Sequence, residues 1–357
     1  MDSFPKVKVA AVQASSVLLD RDGSIEKACK LIENAADQGV QIAVFPECFI
    51  PGYPIWLDIY RAMSSESVQL YKELFAASVE VPSESLAPIG LVAKRTNMIV
   101  VLGICERRKN TTGSLFNSLV FFDNHGQILG VHRKLVPTLA ERLVHSPGYG
   151  DMLDVYETDF GRIGGLICGE NSNHLAKFYL MTQGQTIHAA CWPPYFFTKP
   201  MSEVIQFVSR ATAYENKVFV INAAGIVDEK NLEKIGADSS SWHSDLTGSS
   251  GGSSIVAPNG DVLVGPVLGD EGIVSSVIDF EDIVAQKMIH DFAGHYNRSD
   301  VFSFSVKKHI DSLIDIPEKP SGKKTVPAGD DVNIQLGKSN SIEDTPGKPD
   351  DGSCQHY

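Results

Sequence analysis

The chain has 357 residues, 43% of them hydrophobic and 21% charged, and a formal net charge of −13 at pH 7. That length sustains an extensive core in one large domain or two, and the ordinary apolar and charged fractions belong to a soluble globular protein. The acidic balance, with no basic patch interleaved with aromatics, argues against nucleic acid or an anionic membrane as the main partner. No segment approaches membrane-spanning length, and the start MDSFPKVKVAAVQAS has no long apolar signal core, so a cytoplasmic location is expected.

In chain order, Val7 to Gln13 reads as a strand. Ser24 is placed to cap a helix whose apolar positions Ile25, Ala28, Leu31, Ile32 and Ala35 follow helical spacing to about Gly39. A short strand, Ile42 to Phe45, runs into Glu47 and the loop CFIPGYP. Helical patterns over Ser67 to Ala77 and Ser83 to Thr96 precede the strongly apolar strand Met98 to Ile104. Leu115 to Phe122, the turn DNHG and Gln127 to Val131 form a hairpin pattern that ends on Lys134. The second half repeats this grammar: strand Ile163 to Ile167, helix Leu175 to Thr182, strand Thr186 to Cys191, helix Met201 to Asn216, strand Val218 to Ala223, then a hairpin turning at Asn259-Gly260. Two halves that open with strand–helix–strand and close in a hairpin predict two sheets packed face to face with helices outside, an α/β class. Beyond Lys308 the composition shifts to EKPSGKKTVPAGDD and SNSIEDTPGKPDDGS, too poor in apolar surface to offset ordering entropy. The division is therefore a domain over 1–308 and an extension over 309–357, mobile from about Pro317.

The six cysteines (Cys29, Cys48, Cys105, Cys168, Cys191 and Cys354) show neither CxxC nor metal-finger spacing and read as free thiols in a reducing compartment. One of them is placed differently from the rest. In GRIGGLICGEN, Cys168 follows an apolar strand and precedes a helix, a turn that holds a side chain rigidly and aims backbone N–H groups at developing negative charge. The plain alternative is a small buried hydrophobe, as most free cysteines are. Glu47 and Lys134 end two other apolar runs, and ligands of open α/β folds collect at the carboxyl ends of strands.

The order Glu47, Lys134, Cys168 resembles the catalytic signature of the carbon–nitrogen hydrolase (nitrilase) superfamily, over roughly residues 6 to 300. HRKLVPTLAERLVHSPGYGD is similar to the nitrilase branch, and GHYNRSDVF resembles its Gly-His-Tyr-x-Arg-Pro-Asp stretch, with Ser299 in place of the usual Pro. Many nitrilases carry Trp-Glu after the nucleophile. Gly169-Glu170 stands there instead, a departure that bears on pocket shape rather than chemistry.

The resemblance implies a four-layer αββα sandwich, at least a dimer and often a longer spiral, and subunit contacts near the C-terminus. It implies hydrolysis of a nitrile to carboxylic acid and ammonia, with no metal or organic cofactor. A nitrile carbon is a poor electrophile, so attack calls for a thiolate. Cys168 is then the nucleophile, Glu47 the base, and Lys134 with N–H groups near Gly169 the stabiliser of developing charge. Glu141 resembles the second glutamate of many members; its plain alternative is a surface charge paired with Arg142. Tyr53 and Trp56 from the first half, and Trp192, Pro193 and Pro194 from the second, are candidate pocket walls or ordinary core. Glu170 and Asn171 are explained by helix capping. His132, His145, His174 and His188 are scattered at spacings that form no metal-ligand set. An amidase or a cyanide hydratase of the same superfamily would use the same three residues. A nucleotide-binding module fails because the glycines of GRIGGLICGE sit within the strand and form no GxGxxG.

Overall fold

Strands that are buried on both faces read as unbroken apolar runs, and IAV and IVVLGIC supply two of them. The computed structural model describes residues 4–195, 200–237 and 250–308. Its first half comprises β1 (Lys6–Gln13), α1 (Arg21–Asp37), β2 (Ile42–Val44), α2 (Ser65–Ala77), α3 (Ala87–Thr96), β3 (Ile99–Arg107), β4 (Leu115–Phe122) and β5 (Ile128–Arg133). The second comprises β6 (Tyr156–Thr158), β7 (Gly161–Ile167), α4 (His174–Thr182), β8 (Ile187–Trp192), α5 (Met201–Asn216), β9 (Phe219–Ala224), α6 (Glu229–Ile235), β10 (Gly251–Val256), β11 (Val262–Leu268), β12 (Gly272–Asp279) and α7 (Glu281–Lys287).

These strands form two six-stranded sheets, ordered β12-β1-β2-β3-β4-β5 and β11-β10-β9-β8-β7-β6. In each, three parallel strands (β1-β2-β3 and β7-β8-β9) run in the middle and antiparallel strands flank them. Alternation along the strands sorts the side chains. Val9, Ala11, Val44, Val101 and Phe121 pack with Ile163, Ile167, Ala189 and Ile221 between the sheets. The intervening Ala10, Val12, Ala43, Phe45 and Val100 face Ile25, Ala28 and Ile32 of α1 and Ile89, Val92 and Ala93 of α3. Helix, sheet, sheet, helix is the αββα sandwich. Among the described residues no helix is long and apolar enough to cross a membrane.

The local differences have plain causes. Asp20, not Ser24, caps α1, accepting from Gly23 N; Ser24 lies inside the helix, buried, and donates to Val17 O. The Ser83–Thr96 pattern divides into a 3-10 turn (Glu84–Leu86) and α3, with Pro88 in its first turn. The short β6 and the late β12 have no counterpart in the sequence reading; β12 is antiparallel to β1 at the opposite end of the chain. The extension over 309–357 lies outside the described residues.

Candidate active site

Three strand ends converge here. Glu47 follows β2, where Phe45 N donates to Val101 O (2.8 Å) and Glu47 N to Trp192 O (3.3 Å). Gly103 of β3 permits this close approach, since a Cβ there would stand 2.0 Å from Pro46 O. Lys134 follows β5, its N–H bonded to Asn117 O and its carbonyl to Gly148 N, both at 2.8 Å. Cys168 follows β7 and opens a 3-10 turn, Cys168–Ser172, with φ at +49°, a left-handed conformation that a non-glycine residue adopts only where its surroundings hold it.

Two polar networks hold that turn. Glu170 accepts from Ile167 N (3.0 Å), Leu135 N (2.6 Å) and His132 Nε2 (2.9 Å), tying the Cys168 turn to the segment after Lys134. His132 Nδ1 faces Met152 O at 3.3 Å. Both of its ring nitrogens meet acceptors, and although burial opposes the charge, Glu170 raises its pKa. Asn171 donates to Cys168 O (3.0 Å) and accepts from His188 Nε2 (2.8 Å). His188 is pushed down to about 3 by burial, so its neutral ring also accepts from Gln185 Nε2. Capping thus explains only the Ile167 contact of Glu170. Its pairing with buried His132 is an additional, longer-range tie.

At the centre, Lys134 Nζ lies 2.8 Å from Glu47 Oε1 and 2.6 Å from Glu141 Oε2. Asn117 Nδ2 donates to Glu47 Oε1 and to Glu141 Oε1, each at 2.6 Å. Glu141 also accepts from Thr138 N (3.0 Å) and His145 Nδ1 (3.2 Å). Glu141 is 1% exposed and so is no surface partner of Arg142. Glu47 Oε2 meets no donor among the described residues. Burial, with Glu141 nearby, raises Glu47 to about 7 against the pull of Lys134. Burial acts on Glu141 the same way, but His145, Lys134 and Asn117 together hold it below the usual carboxylate range. Lys134 is disfavoured by burial yet raised overall by the carboxylates. Burial lifts the Cys168 thiol to about 12, with Lys134 and the Gly169 N–H opposing.

A cavity of about 50 Å³ opens on this centre, lined by Tyr53, Leu57, Thr138, Leu139, Glu141, Cys168, Pro193 and Tyr195 among others. Of the five described cysteines, all with free thiols, Cys168 is the one in this lining. A second cavity of about 20 Å³ shares Tyr53 and is lined by Glu47, Pro46, Pro194, Gly225 and Asn231. Tyr53 thus lines both cavities and Pro193 the larger one. A Cβ on Gly169 would meet Thr138 Oγ1 at 3.3 Å, which places Gly169 beside the rim.

Trp192 is a correction: it is buried among core residues, donates from Nε1 to Asn222 Oδ1 (3.1 Å), and does not line the cavity. Its carbonyl supports the Glu47 backbone instead. Trp56 is likewise packed in a core cluster with Leu70 and Leu74. Two residues of the centre escape sequence reasoning. Asn117 carried a usable signal, a polar side chain inside the apolar run LFNSLVFF, because a buried amide needs partners. His145 carried none. Among the described residues no group of three His, Cys, Asp or Glu is arranged to hold a metal ion.

The family model for carbon–nitrogen hydrolases matches residues 8–288. A nitrilase of Bacillus sp. (strain OxB-1) is 34% identical over 348 residues, covering 94% of this chain and 99% of its own. An arylacetonitrilase of Aspergillus kawachii is 33% identical, covering 85% of this chain and 94% of its own. Among solved structures, Nit3 of Saccharomyces cerevisiae, a member of branch 10 of the nitrilase superfamily, superposes with a TM-score of 0.62 at 21% identity, covering 80% of this chain and 94% of that one.

Proposed function

Because this chain belongs to the carbon–nitrogen hydrolase family and within it to the nitrilase branch, we propose that it hydrolyses organic nitriles to carboxylic acid and ammonia, with Cys168 as nucleophile and Glu47 as proton carrier. The observation that carries the assignment is the Lys134 ammonium clasped by two buried carboxylates beside the cavity that Cys168 lines.

The electrostatics support one order of events. With the thiol near 12 and Glu47 near 7, no thiolate stands ready at neutral pH. The proton leaves Cys168 for Glu47 as the sulfur–carbon bond forms, and Glu47 passes it to the nitrile nitrogen to give a thioimidate. Water then attacks that carbon, its proton again taken by Glu47. Lys134 and the Gly169 N–H face the charge that develops. Expulsion of ammonia leaves a thioester, and a second water releases the acid and returns the proton to Cys168. One nitrile and two waters give one acid and one ammonia. Glu141 fixes Lys134 throughout, and Tyr53, Pro193 and Tyr195 shape the space for the substituent on the nitrile carbon.

The reading extends to a cytoplasmic, self-associating enzyme that uses no metal or organic cofactor. Free thiols support the compartment, and exposed Phe207 and Tyr214 on α5 with Leu268 on β11 support self-association. The test is a panel of aliphatic, arylaliphatic and aromatic nitriles with acid, amide and ammonia all quantified. Equal yields of acid and ammonia are expected. Amide as the sole product would instead favour a hydratase, and turnover of amides alone an amidase.

A further inference from the structure

Glu47 and Glu141 share the same two donors. Lys134 Nζ and Asn117 Nδ2 each contact both, at 2.6 to 2.8 Å. By these contacts alone the two carboxylates are interchangeable, and either is equipped to carry a proton. Their remaining neighbours break the symmetry. Among the described residues Glu47 Oε2 meets no donor, whereas Glu141 also receives the Thr138 N–H and the His145 ring.

That ring closes a buried hydrogen-bond chain. Ser78 Oγ donates to Leu74 O at 2.6 Å. Ser78 Oγ also donates to Cys105 Sγ at 3.2 Å. Cys105 Sγ in turn faces His145 Nε2 at 3.3 Å. On the other side Nδ1 faces Glu141 Oε1, which only accepts, at 3.2 Å. The ring thus lies buried between the Cys105 sulfur and the Glu141 carboxylate, whose negative charge favours the protonated form.

We propose that His145 is the positioning residue that separates the two carboxylates: its buried cation pins Glu141 as a carboxylate and leaves Glu47 as the one that exchanges a proton with Cys168. The inference rests on the Glu47 and Cys168 roles given above. The titratable groups facing the ring are Cys105 from β3 and Glu141 from its own turn, with Lys134 beyond Glu141 and Tyr71 of α2 beyond Cys105. Burial alone would push His145 down; Cys105 and Glu141 raise it to about 9.

The experiment follows alkylation of Cys168 by iodoacetamide against pH, read by mass spectrometry on its own peptide, in the full-length enzyme and in His145→Gln. Glutamine keeps one donor to Glu141 and loses the charge. Glu141 then competes for the proton, the carboxylate pair takes up its first proton at higher pH, and the inflection of Cys168 reactivity moves up by about one pH unit. The acid limb of kcat/KM on a nitrile moves with it. An unmoved inflection in a folded His145→Gln protein overturns the proposal. If that variant fails to fold, the histidine ring nitrogens of the unaltered enzyme decide, by NMR of ¹⁵N-labelled protein: His145 is doubly protonated at pH 7, and a neutral ring overturns the proposal. Alkylation that spares Cys168 in the unaltered enzyme would strike down the nucleophile assignment, and the His145 ring state would still judge this inference separately.

Discussion

The two sheets bring different chemistry to one place. The first supplies Glu47, Lys134 and Asn117 from β2, β5 and β4, with Glu141 on the turn that follows, and their side chains are bound to one another by short directional contacts. The second supplies Cys168, whose side chain is left to the Gly169 N–H while the polar bonds that hold it lie behind it, on Glu170 and Asn171. In the proposed mechanism proton handling is thus fixed through side chains, and the nucleophile through its backbone. The apolar packing between the sheets keeps the two in register, so the site exists only in the closed sandwich. Changes on the first side should alter pH dependence and product. On the second they should abolish covalent chemistry or loosen the turn.

The largest effect is expected at Cys168. Cys168→Ala should reduce acid formation to the buffer background with the melting temperature unchanged, since among the described residues the thiol makes no side-chain hydrogen bond to lose. Cys168→Ser should be nearly as inactive, because an alkoxide is harder to form than a thiolate. Residual turnover with an adduct on Cys105 or Cys191 would move the nucleophile elsewhere.

On the opposite sheet, Glu47→Gln should cost roughly a thousandfold in kcat/KM with the fold intact. Glu47 accepts a proton only as a carboxylate, and burial raises it to about 7. Activity of the unaltered enzyme should therefore fall about tenfold for each pH unit below that value. A profile flat from pH 5 to 8 would contradict this role.

Glu170→Ala tests the support behind Cys168. It leaves the buried His132 imidazolium without its carboxylate, which should cost about 3–5 kcal/mol in stability, measured by denaturant unfolding. The sign with pH is set by His132, whose folded pKa is raised above 6.5. The pair stabilises fully below 6.5 and its contribution fades as pH rises through the folded value, so the loss should shrink in alkaline buffer. A loss that stays constant with pH would make Glu170 a neutral cap.

Glu47, Lys134 and Cys168 were legible in the sequence because each ends an apolar run, and the parallel strands because burial on both faces makes them mostly apolar. Pairings between distant segments were less legible. β12 closes on β1 from the far end of the chain, and His132 meets Glu170 only after β5 and β7 have taken their places. Trp192 looked like a pocket wall because it ends a strand, but the pleat turns its ring toward Asn222 and leaves Pro193 at the cavity. His145 looked like a stray histidine because one of its two partners, Cys105 on β3, precedes it by many residues.

The smallest effect, and the finest test of the division between the sheets, is Glu141→Gln. Glutamine leaves Lys134 with one carboxylate instead of two and removes the negative charge that helps to raise Glu47. Turnover should fall only about tenfold, since the proton carrier and the nucleophile both remain. The acid limb should move to lower pH. The products should change as well. The tetrahedral intermediate expels either ammonia, which requires a protonated nitrogen, or the Cys168 sulfur, which yields amide. With Lys134 and His145 both cationic and one carboxylate gone, protonation of that nitrogen is disfavoured and sulfur leaves more often. The amide share should rise while total nitrile consumption falls modestly. A Glu141→Gln enzyme matching the unaltered one in rate, acid limb and amide share would show that Glu141 takes no part in the reaction and that the proton-handling side ends at Lys134.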